Sequence, residues 1–160
     1  MSFAVKHILV PVDVDPIGDR PIAERLVEDA CSFAKAAGAR LTLLHVAIPV
    51  VSPLLAPADL VGEAYRAMLD VAEARTAASG RQLNELAQRA GDLGVTARPM
   101  ITSRTGSIPE VIVQVAKEEG ADLIMLTTHG RRGLKRILLG SVAERTAHLS
   151  SVPVLLLPPE

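Results

Sequence analysis

Short aliphatic runs alternate along the chain with longer stretches in which apolar residues return every three or four positions. The runs are Lys6 to Val12 (KHILVPV), Leu41 to Val46 (LTLLHV), Val95 to Ile101, Asp122 to Thr127 (DLIMLT) and Val152 to Leu157 (VPVLLL), each short enough to be a strand. Between the first two, Ile22, Leu26, Ala30, Phe33 and Ala37 mark the buried face of a helix that begins near Asp19 or Pro21 and stops at Gly38. After a proline-bearing loop from Ile48 to Pro57, a helical region is expected from about Ala58 to Asp92. Leu60, Ala64, Met68, Val71, Leu83, Leu86 and Ala90 carry it, and Gly80 is a place where it could break. Ser107-Ile-Pro-Glu110 reads as a capping box opening a helix to about Glu119, with Ile112, Val115 and Ala116 inward and Gly120 as its stop. A last helix is expected from Ser141 to Leu149.

Strands and helices therefore take turns, β-α-β-α-β-α-β-α-β. That order implies an α/β fold: a single domain over residues 1–160 with an open, parallel, five-stranded sheet and helices on both faces. Ligands of such sheets bind beyond the carboxyl ends of the strands, where the strand order reverses.

Composition agrees and narrows the choices. Apolar residues make up 49% of the chain but aromatics only 2%, with no Trp, so the core must be aliphatic, as in a sheet buried on both faces. The net charge of −1, with Phe3, Phe33 and Tyr65 scattered, gives no case for nucleic acid. Cys31 is the sole cysteine and cannot form an internal disulfide, which fits a reducing compartment. No secretory leader and no membrane-length apolar run is seen, so a cytoplasmic protein with no membrane partner is expected.

Neither a Gly-rich dinucleotide fingerprint after the first strand nor a G-x-x-x-x-G-K-[ST] loop is present. The anion signal falls after the fourth strand, in TTHGRRGLKRILLGS from Thr127 to Ser141. Gly130, Gly133 and Gly140 permit close backbone approach, and Arg131, Arg132, Lys135 and Arg136 supply positive charge. Gly140-Ser141 opens a helix, whose free N–H groups and dipole favour phosphate. The same residues also suit plain turns, a solvated basic face and a capping box from Ser141 to Glu144, so physics alone leaves both readings open. His7, His45 and His148 lack metal spacing and read as structural, whereas His129 lies inside the glycine-bearing segment.

THGRRGLKRILLGSVAERTAHLSSVPVLLLP resembles the C-terminal signature of the universal stress protein family, and HILVPVDVD is similar to that family's first strand. GSIPEVI and GADLIMLTTHG are family-like too, so the resemblance runs through the whole chain and is weakest between Ile48 and Ser79. It implies a Rossmann-like fold of the adenine nucleotide α-hydrolase kind. The signature of the ATP-binding branch is Gly, two residues, Gly, nine residues, then Gly-Ser or Gly-Thr. Gly130 and Gly140-Ser141 keep that spacing, while Thr127 replaces the first glycine.

By this resemblance Asp13, following Pro11 and Val12, would face the adenosine, and Val46 would meet adenine through its backbone. Backbone groups from Gly130 to Gly133 and of Ser141 and Val142 would hold the phosphates, with His129 close to them. The implied ligand is ATP, with Mg²⁺ accompanying it through phosphates and water. The implied assembly is a homodimer paired through the C-terminal strand 152–157. The expected role is a nucleotide-dependent regulatory or stress-response switch. Slow ATP hydrolysis and a nucleotide-free dimeric interaction protein stand as alternatives. No catalytic loop of Asp, Asn and Lys is visible.

Overall fold

A computed structural model describes residues 4–16, 18–48, 62–128 and 139–158. The elements run β1 (His7–Pro11), α1 (Arg20–Ala37), β2 (Arg40–Val46), α2 (Glu63–Asp92), β3 (Ala97–Thr102), α3 (Ile108–Glu118), β4 (Leu123–Thr127), α4 (Ser141–Leu149) and β5 (Val154–Leu157). They build the expected α/β architecture, one five-stranded sheet in the order β3-β2-β1-β4-β5, with every pairing parallel. The chain works outward from β1 to β3 and then crosses back to β4, so the order reverses between β1 and β4.

Strand alternation divides the core in two. Ile8, Val10, Leu41, Leu43, Leu123 and Met125 face α1 and α2, whereas Leu9, Leu44, Ile124 and Leu126 face α3 and α4. Both faces of the central strands are covered, which is why β1 and β4 read as unbroken aliphatic runs.

Local signals place the helix ends. The Asp19 carboxylate accepts from the Ile22 amide at 3.3 Å, and Pro21 sits in the first turn of α1. Gly38 ends the helix at φ 65°, a left-handed conformation that a side chain would resist. At α3 the Glu110 carboxylate reaches back to the Ser107 amide at 2.9 Å, and that bond holds the Glu110 carboxyl below its ordinary range.

Three helical expectations need correction. The buried stripe of α1 is Ala23, Leu26, Val27, Ala30, Cys31 and Ala34, so Phe33 lies outward at 38% exposure. Three of the six are alanines, and the bulkier Phe33 ring lies outside the stripe. Gly80 causes no break: α2 runs through it, and its buried residues are Ser79, Leu83, Leu86 and Ala90 alone. Ala64, Met68 and Val71, expected as core positions, are exposed: the buried residues of α2 all lie from Ser79 onward. Leu60 lies outside the described residues.

Candidate functional site

The reversal between β1 and β4 brings together segments far apart in sequence. Pairing of Leu9 with Ile124 sets β1 beside β4, and pairing of Pro11 with Leu44 sets it beside β2. Continued along the strands, this register puts Val12, Val46 and Thr127 at the same end of the sheet. The Val12 amide extends the pairing by donating to the Leu44 carbonyl at 2.8 Å. Buried His45 bonds the Val12 carbonyl through Nδ1 at 3.2 Å; a carbonyl only accepts, so Nδ1 carries the proton. His45 was read as structural, and its task is to fix the backbone at the end of β1.

A small cavity opens at this reversal, on the α1 side of the sheet. Pro11, Val12, Asp13 and Thr127 line it from the strands, and Asp19, Ile22, Ala23 and Leu26 line it from α1. Its volume of about 50 Å³ admits water and not an adenine ring. Of its strand-side lining, Val12 is buried and Asp13 exposed.

Thr127 is the departure from the glycine of the ATP-binding signature. It is the last residue of β4, paired with Leu157 in ordinary strand geometry. No described non-glycine residue has a positive φ, so threonine here stores no backbone strain. Its half-buried side chain contributes to the cavity wall.

Beyond β4, the Thr128 amide donates to the Leu157 carbonyl at 2.8 Å, and the Thr128 carbonyl accepts from the Gly140 amide at 2.7 Å. That second bond fastens the start of α4 to the end of β4. Gly140 is the N-cap, at φ −62° and ψ 146°, and Ser141 is already the first helical residue. The expected Ser141–Glu144 capping box is therefore not formed: the cap position has shifted one residue back, onto a residue without a side chain. Among the described residues no side chain caps α4, in contrast to the Asp19 and Glu110 carboxylates at α1 and α3. N–H groups that no described side chain caps, together with the positive end of the helix dipole, make this turn suited to an anion.

Val46 and Val142 each pack a half-buried side chain against the α3–α4 core. Side-chain packing leaves the backbone roles suggested for them geometrically open. His129, Gly130, Arg131, Arg132 and Gly133 lie outside the described residues, so the structure places only the two ends of their segment, Thr128 and Leu139. No group of three metal-ligating side chains occurs among the described residues.

Sequence comparison assigns the fold to a known lineage. The sequence profile of the universal stress protein family matches residues 4–158. The chain belongs to the universal stress protein family. It is 32% identical over 152 residues to universal stress protein A homolog 2 of Coxiella burnetii, covering 94% of this chain and 92% of that one. It is 29% identical over 162 residues to universal stress protein MJ0577 of Methanocaldococcus jannaschii, covering 97% and 96%. A solved structure of MJ0577 superposes with a TM-score of 0.74 at 26% identity, over 98% of this chain and 97% of that one. The universal stress protein of Archaeoglobus fulgidus, solved in complex with dAMP, shares the fold with a TM-score of 0.62 at 20% identity, over 97% and 98%.

One residue pair was not singled out by the sequence reading. Arg75, on the exposed first half of α2, donates from its guanidinium to the Asp15 carboxylate in the segment after β1. The two are sixty positions apart, and no local pattern connects them.

Proposed function

We propose that this universal stress protein binds an adenine nucleotide at the carboxyl ends of β1, β2 and β4, and that ATP acts there as the ligand of a stress-response switch. The observation that carries this reading is the start of α4. Gly140 and Ser141 keep the signature spacing, and α4 begins beside the end of β4 with no described side chain over its first amides. Those amides and the segment 129–133 would take the phosphates, while Asp13 and the Val46 backbone would take the adenosine. The dAMP complex of the Archaeoglobus fulgidus protein supports an adenine nucleotide as the ligand class. Mg²⁺ would arrive with ATP, held mainly by phosphate oxygens and water.

Binding is favoured over hydrolysis by the state of the two loop carboxylates. Asp13 Oδ1 accepts from the Asp15 amide at 3.2 Å, and the Asp15 carboxylate is paired with Arg75. Both carboxylates serve to shape the loop, which is a poor arrangement for a base that must meet an attacking water. A cytoplasmic homodimer completes the reading. β5 is an edge strand of half-buried Val154, Leu155, Leu156 and Leu157, and a second copy would cover it.

The test is to denature protein purified without added nucleotide and identify the small molecules released, then titrate the stripped protein with ATP and AMP by calorimetry. A bound adenine nucleotide, or saturable binding, is expected. Neither one appearing overturns the reading. Sedimentation as a monomer at micromolar concentration would overturn the dimer alone.

A further inference from the structure

We propose that Arg75 is a positioning residue for the nucleotide site, acting through Asp15 on the carboxylate of Asp13. This role rests on the reading of the cleft as an adenine-nucleotide site. Asp15 is the centre of the turn that follows β1. Its amide donates to Asp13 Oδ1 at 3.2 Å, and its carbonyl accepts from the Gly18 amide at 2.6 Å. The turn is drawn so tight that a Cβ at Gly18 would lie 2.8 Å from the Asp15 carbonyl oxygen and 3.2 Å from that of Asp13. Asp13 lines the cavity, so whatever orients Asp15 also orients a wall of the site.

The Asp15 side chain is only 15% exposed, while that of Arg75 is 47% exposed. A mostly covered carboxylate is thus held by a guanidinium reaching in from outside. Arg75 sits where α2 has no core anchor, since no residue of that helix before Ser79 is buried. The other α2 arginine pair, Arg89 with Glu24 and Glu28, and the Arg20–Glu85 pair join α2 to α1. Arg75 joins it to the site loop. A single ion pair whose arginine is half exposed adds little to global stability. Its consequence is instead local, because it holds a residue that makes two of the turn's described hydrogen bonds.

The experiment is a double-mutant cycle on nucleotide-stripped protein, titrated with ATP, together with amide exchange at Gly18. Arg75→Ala and Asp15→Asn are each expected to weaken binding roughly fivefold, and Arg75→Lys roughly twofold, because a single ammonium keeps the charge without the fork. The double variant is expected to be no weaker than Asp15→Asn alone, and the Gly18 amide should exchange faster in Arg75→Ala. Wild-type affinity in Arg75→Ala overturns the role while leaving the nucleotide reading intact. So does an equal loss from Arg75→Ala in the Asp15→Asn background, which would mean that Arg75 meets the ligand itself. A wild type that binds neither ATP nor AMP overturns the nucleotide reading and this role with it.

Discussion

Where the strands begin, the Asp122 carboxylate accepts from the amides of Lys6 and His7 at 2.8 and 2.9 Å, and the Asp122 amide donates to the His7 carbonyl at 2.8 Å. Buried His7 continues that closure. Its Nδ1 donates to the Glu119 carbonyl at 3.2 Å, and its Nε2 meets Thr42 Oγ1 at 2.8 Å, tying β1 to β2 and to the end of α3. Where the strands finish, Gly140 stands at the start of α4 with no described side-chain cap, and residues of β1, β4 and α1 line a small cavity. Among the described residues, one end pairs these polar groups within the chain, and at the other no side chain caps the first amides of α4. An end whose groups are already paired contributes stability, whereas an end with amides to offer is where a ligand gains binding energy.

Substitutions at the two ends should therefore separate stability from binding. The largest effect is expected from Asp122→Ala, which removes the acceptor of two amides. Urea unfolding should show a loss of about 2–3 kcal/mol, with nucleotide affinity unchanged. Affinity falling in step with stability would mean that the ends are not independent.

Gly140→Asp should do the opposite. A carboxylate at the N-cap suits the helix and should raise stability by roughly 0.3 kcal/mol. It would also compete for the amides offered to phosphate and repel the phosphate charge, weakening ATP binding at least roughly tenfold, or about 1.4 kcal/mol. Unchanged calorimetric affinity would remove the α4 amides from the site.

Thr127→Gly sharpens the comparison within the open end. Threonine already adopts strand geometry there, so glycine should cost roughly 0.5–1 kcal/mol of stability while ATP affinity stays within about twofold. A large gain in affinity would show that the threonine side chain occupies space the ligand needs.

The smallest effect is a pH dependence at the sealed end. Burial, aided by the positive charge of Arg40, pushes the His7 pKa below its ordinary 6.5. The unfolded chain therefore takes up a proton that the folded one resists. Stability should be full above pH 6.5 and decline as pH falls from there toward the lowered folded value. In His7→Gln, unfolding measured from pH 7.5 to 5 should lose this part of the slope. An unaltered slope would show that other groups set it.

Much of the fold was legible because the central strands are aliphatic on both faces and the helix stops are chemical. Gly38 and Gly120 take left-handed φ values of 65° and 62°, and α4 spans the expected Ser141 to Leu149. Periodicity failed where it could not know what a helix faces. Met68 and Val71 keep helical spacing on α2 but are exposed, and Phe33 lies outside the buried stripe of α1. Of the proposed site residues, Pro11, Val12, Asp13 and Thr127 line one cavity. Val46 ends the neighbouring strand, and Gly140, Ser141 and Val142 start the helix beside β4. The capping box at Ser141 was misplaced because residue type alone does not fix which residue turns out of the helix. Arg75 was invisible because its partner is distant in sequence.

Amide hydrogen exchange of the nucleotide-stripped protein, measured with and without saturating ATP, tests the contrast between the two ends directly. Protection should appear at Ser141, Val142 and Ala143 and in the turn from Asp13 to Gly18, while Lys6, His7 and Asp122 exchange at the same rates in both samples. Unchanged exchange at Ser141 to Ala143 under saturating ATP, or protection gained equally at both ends, would contradict the assignment of the open end as the nucleotide site.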